Sequence, residues 1–280
     1  LNDIVKGAWL LDFNAYQEYY DLYQRYISGQ KLFEDKPSVT PKLYTGAGLQ
    51  DYGSAKNNSG QKAVGIVSMI GMVTKYSDMC TLGADQIVNQ LEILDSNPNV
   101  EGTVLRIDGP GGAVGAISPL LDFAARKKKK VVGLCDSALS LHYWTAVGVC
   151  DYIMAENDIS SRFGSVGVVI SLSDFTEKRK KEGIVDHEIY PPESKHKNEM
   201  FTLALKGEYD MITKEMASPI ALKFQEGVRK NRPKLIEETG VLTGKTFRAE
   251  EALRLGMIDG IGNLRDAVSM VQVLTELEQF

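Results

Sequence analysis

Residues Val131–Val169 read VVGLCDSALSLHYWTAVGVCDYIMAENDISSRFGSVGVV. The stretch opens as a buried strand, Val131–Cys135. It turns at Asp136-Ser137-Ala138-Leu139-Ser140 and enters a nearly uncharged helix, His142–Val149. A second apolar strand follows at Tyr152–Ala155, and then Gly-Ser-Val-Gly-Val at Gly164–Val168. A serine at a strand-to-helix junction has unpaired helix N–H groups beside it, and these favour developing negative charge. Ser140 therefore suits a nucleophile. It equally suits a side-chain cap on the helix.

Working outward, strands alternate with helices of about ten residues. Strand Ala63–Ile70 precedes an amphipathic helix, Ala84–Asn97, with Ile87, Leu91 and Leu94 on its inner face. Strand Val104–Ile107 runs into Asp108-Gly109-Pro110-Gly111-Gly112-Ala113-Val114, and a helix from Ala116 to Arg126 leads back to Val131. This alternation predicts an α/β fold with right-handed crossovers, in which functional loops gather at the carboxyl ends of strands. Gly111-Gly112 and Ser140 both fall at such ends. The Gly-Pro-Gly-Gly turn could be a tight turn, a phosphate cradle or an oxyanion hole. It lacks the Gly-Lys-Ser/Thr ending of a phosphate loop and does not fit the dinucleotide fingerprint, which leaves the oxyanion reading ahead. Further on, the pattern predicts a charged helix at Ser173–Glu182, a short strand at Glu188–Tyr190, a polar loop at Pro191–Lys197 and a long helix at Tyr209–Asn231.

At the other end, Trp9, Phe13, Tyr16, Tyr20, Tyr23 and Ile27 recur at steps of three and four, which predicts a helix with one aromatic face within residues 1–33. Such a face packs on its own domain or docks on another subunit. Residues 34–62, rich in Gly, Pro, Ser, Asn and Lys, read as a linker, with the compact domain starting at Ala63. The chain has 280 residues and a formal charge of −5, so nothing points to nucleic acid. Lys127–Lys130 suits a helix end and a solvated turn. Cys80, Cys135 and Cys150 lack metal-ligand spacing and read as reduced thiols of a cytoplasmic protein. No run approaches a membrane span.

A nucleophilic Ser140 needs a base. His142 sits two residues into the same helix, while His187 and His196 lie among charges. The other solution is a lysine kept neutral by burial. Here the sequence resembles the signal peptide peptidase A family of serine peptidases. Leu105-Arg106-Ile107-Asp108-Gly109-Pro110-Gly111-Gly112 is similar to its strand followed by Asp-Ser-Pro-Gly-Gly. Ala138-Leu139-Ser140-Leu141-His142-Tyr143-Trp144-Thr145-Ala146 is similar to its nucleophile segment, and Gly164-Ser165-Val166-Gly167-Val168 to its Gly-Ser-Ile-Gly-Val. Thr243–Phe247 with Ala252–Gly262 is similar to its C-terminal Gly-x-x-Phe…Gly-Leu-Ile-Asp region.

The resemblance implies a Clp protease/crotonase-like fold over residues 63–280 and a Ser–Lys dyad without cofactor or metal. Ser140 would be the nucleophile, Lys197 the base with Lys195 as its rival, and Ser165 would orient the lysine. The N–H groups of Gly111, Gly112 and Leu141 would form the oxyanion hole. It also implies assembly into rings acting on protein or peptide substrates. The aromatic N-terminal segment is closest to soluble phage and prophage forms, which act in head maturation. Two residues depart from the pattern: Gly109 replaces a serine, and Leu141-His142 replaces a small pair, an expected narrowing of the pocket. A catalytically silent oligomeric relative and a crotonase-like acyl-CoA enzyme are the competing readings.

Overall fold

In the computed structural model, residues 8–11, 28, 40–46, 48–53, 62–77 and 82–278 are described. In chain order the strands are β1 (Ala8–Leu11), β2 (Lys42–Thr45), β3 (Gly48–Asp51), β4 (Ala63–Ile70), β5 (Val100–Gly109), β6 (Gly111–Ala113), β7 (Val131–Leu139), β8 (Tyr152–Ala155), β9 (Arg162–Gly164), β10 (Val169–Ile170), β11 (Thr246–Arg248) and β12 (Gly260–Ile261). The helices that matter here are α1 (Ala84–Ser96), α2 (Ile117–Arg126), α3 (Leu141–Val149), α4 (Thr176–Lys181), α5 (Glu199–Leu205), α6 (Ser218–Asn231), α7 (Ala249–Arg254) and α8 (Leu264–Leu277).

The main sheet runs β11-β9-β7-β5-β4-β2-β3, with β8 also on β7 and β12 on β8. Strands β4, β5, β7 and β8 pair in parallel, and both faces of this centre are covered. Side chains alternate across a strand, so two cores form. Val64, Ile66, Val104, Val132 and Leu134 face one way and meet Ala267, Val268 and Val271 of α8. Val67, Met69, Leu105 and Ile107 face the other way and belong with Ile87, Leu91 and Leu94 of α1 and Leu120 and Phe123 of α2. Each such side chain, fully buried, contributes about 1.5–3 kcal/mol relative to exposure. This is the α/β architecture the sequence predicts.

Four expectations are revised. First, β7 does not turn at Asp136 but runs to Leu139. Its first half pairs with β8, and its second half, Ser137–Leu139, pairs with Arg162–Gly164 of β9. A partner strand keeps the polar Asp136-Ser137 step extended. Second, the span expected as linker holds a hairpin, β2–β3, whose β2 adds antiparallel to β4, with Leu43 in the core. Gly46 and Gly48 are its turn, with Gly48 at φ 94°, rather than signs of a loose tether. Third, Ala8–Leu11 is a strand and not the start of a helix; the rest of the aromatic stripe lies outside the described residues. Fourth, Glu188–Tyr190 forms no strand, and Ile189 is 90% exposed.

The expected long helix is present as Asp210–Ile212, a π turn at Thr213–Ala217 and α6. The lysine run has the structural role expected of it. Lys129 Nζ donates to the carbonyl of Leu94 at the end of α1 (3.0 Å), Lys127 pairs with Asp151, and Lys130 with Glu278 at 2.6 Å. Cys135 and Cys150 are free thiols; Cys80 lies outside the described residues. Among the described residues no helix is long and apolar enough to cross a membrane.

Candidate active site

Ser140 sits where β7 becomes α3. Its N–H donates to the carbonyl of Gly164 (2.9 Å), adding a last rung to the β7–β9 ladder, while its own carbonyl accepts from Trp144 N–H (2.9 Å) as the first bond of the helix. Meeting both demands places the residue at φ 55°, ψ −116°. That conformation is sparsely populated for a residue with a Cβ and stores on the order of 1–3 kcal/mol. The hydroxyl makes no capping bond to the helix, so side-chain capping does not explain the serine. What holds the strain is the packing of α3, eight of whose nine residues are buried. Tyr143 Oη donates to the Met257 carbonyl (3.0 Å), and Trp144 stacks on Phe224 of α6 with centroids 4.6 Å apart. The C-terminal motif read from the sequence thus anchors α3, the helix that follows Ser140.

Ser165 stands next to this junction, because Leu139 and Gly164 are register partners. Ser165 N–H donates to the Lys245 carbonyl (2.8 Å), and the residue has φ 53°. Among the described residues, Ser140, Ser165 and Asn198 are the non-glycine positions with positive φ. Two of the three are serines singled out from the sequence.

The glycine turn completes the cluster. Gly111 has φ 123°, and its carbonyl accepts from Val73 N–H (3.2 Å), while Ala113 N–H donates to the Val73 carbonyl (2.9 Å). A Cβ on Gly112 would lie 2.0 Å from the Val73 carbonyl oxygen and 2.8 Å from Leu141 Cδ2. Only glycine fits there, and the turn lies against the first residue of α3. The structure therefore brings Gly111, Gly112, Leu141, Ser140 and Ser165 together. Val73, which braces the turn, carries no sequence signal of its role.

The bulk at Leu141-His142 goes into the interior, not into a pocket. Leu141 joins the main core, and both residues are fully buried. His142 occupies the space that a side chain at residue 109 would need: a Cβ on Gly109 would fall 2.4 Å from His142 Nε2 and 2.5 Å from the Gly71 carbonyl oxygen. The two departures from the family pattern are thus one exchange of volume, a ring added at 142 where a serine is missing at 109. The ring lies near the Gly71 carbonyl, yet neither nitrogen makes a hydrogen bond of normal geometry. Burial holds it neutral and lowers its pKa to about 3, only partly offset by Gly71. Because the unfolded chain protonates near 6.5, His142 costs stability as pH falls from there toward 3. A buried ring held this weakly basic is poorly suited to act as a general base at neutral pH.

We expect Gly109→Ser alone to destabilise the fold by about 1–3 kcal/mol through overpacking. His142→Ala alone should cost a few kcal/mol through the cavity it leaves. Combined, they should cost less than their sum by about 1 kcal/mol or more. Urea unfolding of the four proteins measures this; strict additivity would show that the two sites do not share space.

The lysines are elsewhere. Pro192–Ser194 forms a 3₁₀ turn, and Lys195 and Lys197 follow it on the exposed stretch before α5. Ser140 is 1% exposed, and no hydrogen bond joins either lysine to it in the single chain. His196 is exposed and contacts Glu199 (2.7 Å), and His187 is exposed as well. Asp108, just before the glycine turn, has its pKa raised, first by burial and then by Asp136 and Glu156.

The chain matches the profile described as Peptidase family S49 over residues 123–278. It is 28% identical over 193 residues to the protein MJ0651 of Methanocaldococcus jannaschii, covering 68% of this chain and 61% of that protein. It is 26% identical to Protease 4 of Salmonella typhi (71% and 32% covered) and 24% identical to the head-tail preconnector protein GP5 of Enterobacteria phage P21 (74% and 40%). The chain thus spans between 32% and 61% of these relatives' lengths. A solved structure of the 1510-N membrane-bound stomatin-specific protease, a K138A mutant with a substrate peptide, aligns at a TM-score of 0.47 and 15% identity over 74% of this chain and 78% of that one. With a family match that takes in more than half its residues and begins ahead of the Ser140 junction, the chain belongs to peptidase family S49.

Proposed function

We propose that this chain is a serine endopeptidase in which Ser140 and Lys197 form a Ser–Lys dyad. The observation that carries the reading is the backbone of Ser140: a buried, positive-φ serine at a strand-to-helix junction whose hydroxyl is not spent on capping. Lys197 takes the hydroxyl proton, and Ser140 Oγ attacks a peptide carbonyl carbon. The N–H groups of Gly111, Gly112 and Leu141 hold the tetrahedral oxyanion, and the leaving amine receives the proton. Water then releases the acyl group from Ser140. Ser165 orients the lysine. No cofactor enters these steps. A fluorophosphonate probe tests the reading, since only an activated serine is labelled; absence of labelling at Ser140 would favour the catalytically silent relative, or an acyl-CoA enzyme of the same fold class.

A lysine serves as base only when desolvated. Lys197 is exposed in the single chain, so the reading requires its loop to be covered, and the cover we propose is a second copy in a homo-oligomeric ring. Exposed apolar side chains flank that loop: Val185, Ile189 and Tyr209 are at least 60% exposed. Hydrolysis per mole of chain is then expected to rise with chain concentration, in step with mass by sedimentation. Constant specific activity across the assembly range would remove the oligomer from the mechanism. Similarity to a phage preconnector protein supports a role in phage or prophage head maturation, with capsid or scaffold proteins as substrates.

A further inference from the structure

Strand β1 is the middle strand of a second, three-stranded sheet, antiparallel to β6 on one side and β10 on the other. Leu11 stands opposite Gly111, Leu10 opposite Gly112 and Trp9 opposite Ala113. On the far side Trp9 faces Val169 and Ala8 faces Ile170. β6 is the glycine turn that lies against Leu141. Its other edge is already bonded to Val73, through the Gly111 carbonyl and the Ala113 N–H. Backbone groups alternate sides along a strand, so Gly112 turns its N–H and carbonyl toward Leu10. The gap between β6 and β10 is therefore a slot for one extended chain, recognised through its backbone from both sides.

Direction and register add to this. β1 runs so that its last residue, Leu11, lies opposite Gly111, the residue of the turn assigned to the oxyanion hole. A peptide held in this way ends opposite Gly111, on the turn that lies against the start of α3, where Ser140 sits.

Resting on the assignment of Ser140 as nucleophile, we propose that Ala8–Leu11 occupies the substrate strand of the active site. The chain's own N-terminal segment is a tethered peptide ligand, with Leu11 in the acyl position, and it blocks the site against other peptides. Substrates that displace it are extended peptides able to keep an N–H at the residue facing Gly112.

The test uses the full chain and the full-chain variants Leu10→Pro and Leu10→Ala. Proline removes the N–H that faces Gly112 and does not fit a strand bonded on both sides, whereas alanine keeps the backbone donor. Amide hydrogen exchange at Gly112 and over residues 169–170 is expected to be about tenfold or more faster in Leu10→Pro, the loss of one or two net hydrogen bonds. Labelling of Ser140 by a fluorophosphonate should quicken by a similar factor. Leu10→Ala should behave like the wild type in both. Unchanged exchange in Leu10→Pro overturns the placement of the strand. Faster exchange with equal labelling overturns the block while leaving Ser140 as nucleophile. Faster exchange with no labelling of any variant rejects the nucleophile, and with it the block, and leaves only the strand pairing.

Discussion

Ser140→Ala is expected to abolish peptide hydrolysis, with turnover falling on the order of 10⁶-fold, the scale seen when the nucleophile of a serine peptidase is removed. The fold should survive. The hydroxyl makes no capping bond, and the backbone bonds of residue 140, to Gly164 and from Trp144, are kept by alanine. Circular dichroism and sedimentation of the variant should match the wild type while steady-state hydrolysis and probe labelling vanish. Retention of most of the wild-type rate would sink the assignment. Alanine retains the Cβ at positive φ, so the variant isolates the chemistry of the oxygen from the strain of the backbone.

The second large effect is expected at the base. Lys197→Arg should be inactive, because a guanidinium does not deprotonate in the working range, whereas a lysine amine can once its environment is desolvated. The activity of Lys197→Arg beside that of Lys195→Ala decides between the two lysines. An active Lys197→Arg together with an inactive Lys195→Ala would assign the base to Lys195. Both residues lie on the same exposed turn in the single chain, so whichever acts has to be carried into contact with Ser140.

Much of the architecture was legible in the sequence, since period-two alternation in buried strands and the inner face of α1 are local patterns. Gly111, Gly112 and Ser140 stood out as candidates by residue type at the ends of strands, and Ser165 through the family resemblance. What the sequence could not supply was anything decided by a distant partner. The length of β7 depends on β9, twenty-odd residues on. The pairing of Gly109 with His142 depends on two loops sharing one volume, although both positions stood out singly as departures from the family pattern.

The N-terminal segment shows the limit most clearly. An apolar run of four residues fits a helix face and a strand equally well, and its periodicity with residues downstream favoured the helix. Only the tertiary structure offers Ala8–Leu11 the open edges of β6 and β10, and a backbone with unpaired neighbours on both sides takes the conformation that pairs them. The sequence by itself marked out candidate residues and the alternation of strands with helices. The tertiary structure decided which of them meet: the two strained serines through the β7–β9 ladder, the glycine turn through Val73, and the N-terminal strand across that turn. Neither lysine is hydrogen-bonded to Ser140 within one chain: the turn that carries them is exposed, while the serine is buried.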